Sequence, residues 1–314
     1  MSVRLRFPAA GGLLALLAAC AALPLADGAN AEAAEADAAP ANGSGVAADR
    51  QDADAADRTP RRFTLEGPRT QGGVLLGTAP AGTTLLSFDG ESVPVAADGK
   101  FLIAFDRDAD AEAVLVARLA DGSEVRETLA VSPRAWRIER LDRLPRVSQP
   151  SAEFRRRRPE ELRQIIAARA METDAEGWRQ SFLWPVTGRI SGMFGSQRIY
   201  RGEPGSYHSG VDVARPTGTT VLAPADGVVT LAAEAEFTLE GKLLMIDHGM
   251  GLNSAFLHLS RLDVGVGERV RRGQPVGAIG ATGRATGPHL HWSMKWQDAR
   301  IDPLLIAGPM PAVQ

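Results

Sequence analysis

All five histidines of this chain fall between His208 and His291, and four of them stand in short segments suited to chemistry. The segments are His208-Ser-Gly-Val-Asp212, Phe256-Leu-His258-Leu259 and Gly287-Pro-His289-Leu-His291-Trp292. Imidazole nitrogen and carboxylate oxygen are ligands that a catalytic zinc takes, with one position left open for water. Residues two or four apart on a strand project from one face. On that pattern His289 pairs with His291, and His208 with Asp212. A helical metal site would show His-Glu-x-x-His, and the chain has none.

These residues need a scaffold. A chain of 314 residues holds about two domains. Charge is near balance, with 35 Lys and Arg against 38 Asp and Glu, which argues against nucleic acid as a partner. At the start, Arg4 and Arg6 form a basic region ahead of an apolar stretch centred on Leu13 to Leu17. This is the pattern of an export signal, too short to span a membrane comfortably. The single cysteine, Cys20, lies inside that leader, so no disulfide forms within the chain. Leu17-Ala-Ala-Cys20 resembles a lipoprotein processing site, and cleavage after Ala26 or Ala31 is the alternative. Either outcome puts the mature chain in the periplasm or cell envelope, with a lipid anchor through Cys20 in the first case.

The expected order is a signal peptide over 1–26, a linker over 27–61, a β-sandwich-like domain over 62–134, a connector with a helix over 135–181, a mostly-β domain over 182–307 and a tail over 308–314. The linker is rich in Ala, Asp, Glu, Asn and Gly without periodic apolar residues, so it cannot bury enough surface to offset its chain entropy. Asp-Gly pairs at Asp89, Asp98 and Asp121 mark hairpins of an immunoglobulin-like sandwich. In the connector, Pro159 suits a first helical turn, and Leu162, Ile165, Ile166 and Ala170 form one apolar stripe. The run Arg155 to Arg158 sits just before that helix. It reads as a solvated basic turn, or as a contact for acidic envelope polymer or lipid headgroups. From Trp184 onward, Gly-punctuated β-runs such as Leu243-Leu-Met-Ile-Asp247 replace helical periodicity.

The C-terminal region resembles the M23 (lysostaphin-type, LytM) zinc metallopeptidases that cut bacterial cell-wall peptides. The resemblance runs from about Phe182 to Leu305. It is carried by Phe194-Gly195, His208-Ser-Gly-Val-Asp212, Ala223-Pro-Ala-Asp-Gly227, Asp247-His-Gly249, His258-Leu259, Val270-Arg-Arg-Gly-Gln274, the run Thr282 to His291, and Asp302-Pro303. It implies zinc on His208, Asp212 and His291, with His258 and His289 lining the open side as a catalytic pair. Which imidazole takes the water proton, and which steadies the oxyanion or leaving amine, stays open. His248 matches a family position that is not a ligand, and a supporting role is expected of it. One departure is Phe256, where the family often has tyrosine.

The implied function is a zinc endopeptidase hydrolysing cross-links or stem peptides of peptidoglycan. A non-catalytic, wall-binding activator of an amidase is the alternative, and the complete ligand set separates the two. The segment Val264 to Gly277 also resembles a biotin or lipoyl carrier hairpin, but it holds no lysine to bear the group. The segments ahead of the enzyme are positioned to block its groove or to dock an envelope protein partner.

Overall fold

The computed structural model describes residues 61–143 and 151–311. The leader with Cys20, the linker up to residue 60, residues 144–150 and the last three residues lie outside the described residues.

The first layer is a two-sheet sandwich. Its strands are β1 (Thr64–Glu66), β2 (Val74–Thr78), β3 (Thr83–Phe88), β4 (Glu91–Val93), β5 (Lys100–Ala104), β6 (Glu112–Leu119) and β7 (Glu124–Ala130). Alternation decides which side chains face inward. In β6 every second residue, Ala113, Leu115, Ala117 and Leu119, is buried. One sheet runs β1-β2-β5 and the other β4-β3-β6-β7, the strand arrangement of a Greek-key sandwich of immunoglobulin kind. Asp89-Gly90 closes the β3–β4 hairpin and Asp121-Gly122 the β6–β7 hairpin. Asp98-Gly99 instead turns the chain into β5, which pairs with β2 of the other sheet.

The connector begins with β8 (Ile138–Leu141), followed by α1 (Ala152–Arg169). Helix α1 is capped by the Ser151 hydroxyl, which accepts the Phe154 N–H. The helix therefore starts earlier than expected, with Pro159 and the arginine run inside it. The single apolar stripe is also corrected. Ile165 and Ala168 pack on Phe237, Leu243, Met245 and Ala255, whereas Leu162 and Ile166 are exposed, at 41% and 65%. The cause is electrostatic. Glu161 is buried against the turn after Phe237, where it accepts hydrogen bonds from Thr238, and this fixes the helix face. Nor is the arginine run a solvated turn, because Arg157 pairs with Glu153 and Arg158 with Glu240.

The last layer carries β9 (Arg189–Gly192), β10 (Gln197–Tyr200), β11 (Glu203–Pro204), β12 (Val211–Ala214), β13 (Thr220–Leu222), β14 (Gly227–Phe237), β15 (Gly241–Asp247), β16 (Leu252–Leu262), β17 (Arg269–Val270), β18 (Pro275–Ile279), β19 (His289–Trp296) and β20 (Ala299–Ile301), with a short α2 (Pro303–Ala307). The large sheet is antiparallel and runs β17-β14-β15-β16-β19-β12-β9, with β18 and β20 at its margins. Phe256, Trp292, Leu244 and Leu290 are fully buried beneath it.

Sandwich and sheet share one continuous apolar core. Phe88 meets Trp296 edge to face at 6.1 Å, a geometry that adds to simple burial. Strand β8 pairs in parallel with β10. Arg107 of the sandwich is buried with its guanidinium donating to the Gly195 carbonyl, at 2.9 and 3.2 Å, and lying over the Tyr207 ring at 4.6 Å. The loop leading to His208 is thus gripped from outside its own sheet.

Candidate metal centre

Strands β12 and β19 build the centre. Their register puts Asp212 directly opposite His291 and Ala214 opposite His289. Along β19, Leu290 and Trp292 point into the core, so His289 and His291 share the other face. His208 is not on a strand. It sits in the loop before β12, fixed by its N–H donating to Ser196 O and its carbonyl accepting from Gly195 N–H. The same-strand pairing expected for His208 and Asp212 is therefore replaced by a loop that folds back, and the two side chains meet nonetheless.

The three donors converge. His208 Nε2 lies 3.0 Å and His291 Nδ1 2.8 Å from Asp212 Oδ1, and the two ring nitrogens are 3.1 Å apart. Ligand atoms around a tetrahedral zinc, with bonds of about 2 Å, stand about 3.3 Å apart. The cluster needs only a slight opening to hold one ion, and these are the three residues among the described ones grouped to do so. His208 Nδ1–H donates to Met193 O at 3.2 Å, which leaves Nε2 as the free lone pair.

Electrostatics agree. Burial works against a charge on Asp212, but hydrogen bonds from His208 and His291 outweigh it and hold the carboxyl well below the usual range. Burial pushes His291 down. For His208 burial acts the same way, yet the hydrogen bond to Asp212 prevails and raises it. An anionic oxygen and two imidazole nitrogens this close favour a cation among them.

Beside this trio stand His258 and His289, ring centroids 4.9 Å apart. His258 Nδ1–H donates to Thr282 O at 2.9 Å, and His289 Nδ1–H to Gly287 O at 2.8 Å. Both rings therefore keep Nε2 free, and that of His289 lies 3.8 Å from Asp212. Burial brings His258 down to about 4, so the ring is neutral at neutral pH. Strict alternation along β16 would turn His258 toward the core with Phe256. A bulge prevents it: Leu257 and His258 together oppose Leu243, and His258 takes φ 65°. Bulges re-aim side chains in this way, and a left-handed non-glycine residue costs about 1–3 kcal/mol.

His248 lies apart. It is fully buried, with Nδ1–H donating to Asp226 O at 2.8 Å and Nε2 2.9 Å from Ser254 Oγ, which also accepts from Trp292 Nε1–H. Both of these contacts lie apart from the His208–Asp212–His291 cluster and from the His258–His289 pair. Burial brings His248 down to about 4. Its folded value lies below the unfolded one, so the unfolded chain binds the extra proton between about pH 6.5 and 4. Stability is full above that window and falls as pH drops through it, by about 3 kcal/mol. Urea unfolding at pH 7 and pH 4.5 should show a steeper loss for the wild type than for His248→Asn; equal losses would contradict it.

Gly192 on β9 is required by close approach. A Cβ there would strike the Asp212 carboxylate. Gly192→Ala is expected to weaken zinc binding about 10- to 100-fold, the scale of disturbed metal support, while thermal unfolding of the metal-free chain changes little. Competition titration against a chelator reads this, and an unchanged affinity counts against the geometry.

A β-sheet cluster of two histidines and one aspartate, flanked by two imidazoles, is a donor set that could hold a metal ion. Residues 206–303 match the family model described as Peptidase family M23. The chain is similar to the DD-carboxypeptidase/endopeptidase Mpg of Neisseria meningitidis, 39% identical over 39% of this chain and 28% of that protein. It is also similar to the peptidoglycan DD-endopeptidase ShyA of Vibrio cholerae, 40% identical over 34% of this chain and 24% of that protein. The chain thus spans about a quarter of the length of these curated relatives. A crystal structure of a putative M23 peptidase from Pseudomonas aeruginosa aligns with TM-score 0.59 and 29% identity, covering 77% of this chain and 96% of that one.

Proposed function

We propose that the chain is an exported zinc endopeptidase that hydrolyses peptide cross-links or stem peptides of peptidoglycan. The observation that carries this reading is the convergence of His208, Asp212 and His291 within reach of one ion, beside two imidazoles with free Nε2 atoms. The names of the related DD-endopeptidases point to the same substrate class.

His208, Asp212 and His291 would hold the zinc, which supplies a Lewis acid for the scissile carbonyl and for water. His258 and His289 do the proton work. Each is fixed by a backbone carbonyl at Nδ1, so each presents Nε2 inward. One accepts the proton of the attacking water, and the other steadies the developing oxyanion or protonates the leaving amine. Asp212 is the carboxylate of the cluster and would be held as a ligand, so the two imidazoles beside it are the candidates for the base.

The leader fits export to the periplasm. The mass of the mature N-terminus decides between acylation at Cys20 and cleavage after Ala26 or Ala31. Among the described residues, no helix is long and apolar enough to cross a membrane. The function itself is tested by mass spectrometry of muropeptides released from purified sacculi. Monomers appearing at the expense of cross-linked dimers are expected. Binding to sacculi without any released product would favour the amidase-activator reading.

A further inference from the structure

We infer that the connector helix α1 is a working part of the site, because Arg158, acting through Glu240, holds His258 in its catalytic pose. This rests on the assignment of His258 to proton transfer and deepens it: Arg158 and Glu240 are positioning residues that touch no substrate.

His258 adopts a backbone conformation that a non-glycine residue keeps only when its surroundings enforce it. Two contacts do so. Its N–H donates to the Glu240 carbonyl at 2.8 Å, and its ring Nδ1–H donates to Thr282 O at 2.9 Å. Both partners belong to one small assembly. The turn from Glu236 to Glu240 accepts the Arg284 N–H at Leu239 O, while Thr282 Oγ1 accepts the Lys242 N–H and donates to Leu259 O. Wherever this turn goes, the bulge and the imidazole must follow.

Helix α1 fixes the turn at three points. The Arg158 guanidinium forms a two-pronged pair with the Glu240 carboxylate, at 2.6 and 2.8 Å. Glu161 accepts from Thr238 N–H at 2.8 Å and from its hydroxyl at 2.6 Å. Arg157 donates to the Glu236 carbonyl. Glu161 and Glu240 are both buried. Paired charges out of solvent are directional and hold one geometry, whereas exposed pairs contribute little. Glu240 joins the two halves of the device: its side chain receives the helix and its carbonyl receives His258. The helix lies at 152–169, outside the 206–303 family match, so the matched domain does not itself contain this brace.

The test uses the full chain with zinc and a soluble cross-linked muropeptide. Arg158→Ala is expected to lower kcat about tenfold or more, the scale of a small misplacement of a reacting group, with KM and zinc stoichiometry unchanged. Arg158→Lys should recover much of the loss, since it restores the charge. Glu240→Gln, which keeps shape and main chain, provides a milder second break in case the alanine variant folds poorly. Histidine side-chain NMR gives a readout without turnover. Wild-type His258 should show one tautomer protonated at Nδ1, and that signal should broaden or shift in Arg158→Ala. A folded Arg158→Ala chain with unchanged kcat and an unchanged His258 signal overturns the inference. So does a fall in kcat matched by lost zinc and not relieved by lysine. If the wild type binds zinc yet cuts nothing, the endopeptidase reading fails, and the NMR signal alone decides whether the brace exists.

Discussion

Asp212→Ala is expected to abolish stoichiometric zinc and to lower kcat/KM on cross-linked muropeptides by on the order of a thousandfold or more, about 4 kcal/mol of lost transition-state stabilisation. Asp212 is the only anion in the cluster, and its Oδ1 lies within 3.0 Å of ring nitrogens from both His208 and His291. Without it, two neutral imidazoles remain, with nothing to offset the charge of a divalent ion. Asp212→Asn keeps an oxygen donor and the shape but not the charge, so it should fall between alanine and wild type. Elemental analysis of the purified variants, paired with muropeptide release, reads both quantities. Full zinc content in Asp212→Ala would mean that the metal sits elsewhere.

His258→Ala and His289→Ala should behave differently. Each removes a group that is fixed by a carbonyl and faces the open side. Loss of a general acid or base costs about 10² to 10⁴ in rate, and zinc should remain bound. Kinetics on a soluble substrate alongside metal content separate this outcome from the first. If either variant lost zinc as Asp212→Ala does, its histidine would have to be counted among the ligands. The double variant should lose less than the product of the two single losses, because the pair serves one proton-transfer route.

Much of this site was legible in the residue order, for a simple reason. His289 and His291 stand on a regular strand, where a two-residue period dictates a shared face, and Leu290 and Trp292 show the buried side of the same strand. The mostly-β architecture followed from similar alternation in β6 and from turn residues at Asp89 and Asp121. What periodicity could not supply were the departures from it. His208 reaches Asp212 from a loop, through backbone pairing with Gly195 and Ser196 that no local pattern encodes. His258 points at the site because a bulge breaks alternation, and a bulge of non-glycine residues leaves no mark in composition.

The helix face was misread for a related reason. Leu162, Ile165, Ile166 and Ala170 have helical spacing, yet the buried side is chosen by Glu161 and Arg158, whose partners Thr238 and Glu240 lie about eighty residues downstream. Propensity and hydrophobic pattern weigh local terms, and a buried ion pair between distant segments overrides them. Phe256 shows the converse. Where the family often has tyrosine, its ring is fully buried opposite Trp292, and a hydroxyl there would need a partner of its own.

The most direct measurement is anomalous diffraction at the zinc edge from crystals of the full chain grown with zinc. The account predicts one strong peak about 2 Å from each of His208 Nε2, Asp212 Oδ1 and His291 Nδ1, with His258 and His289 near the ion but not bonded to it. A zinc peak at other residues, or none at this cluster under saturating zinc, would contradict it.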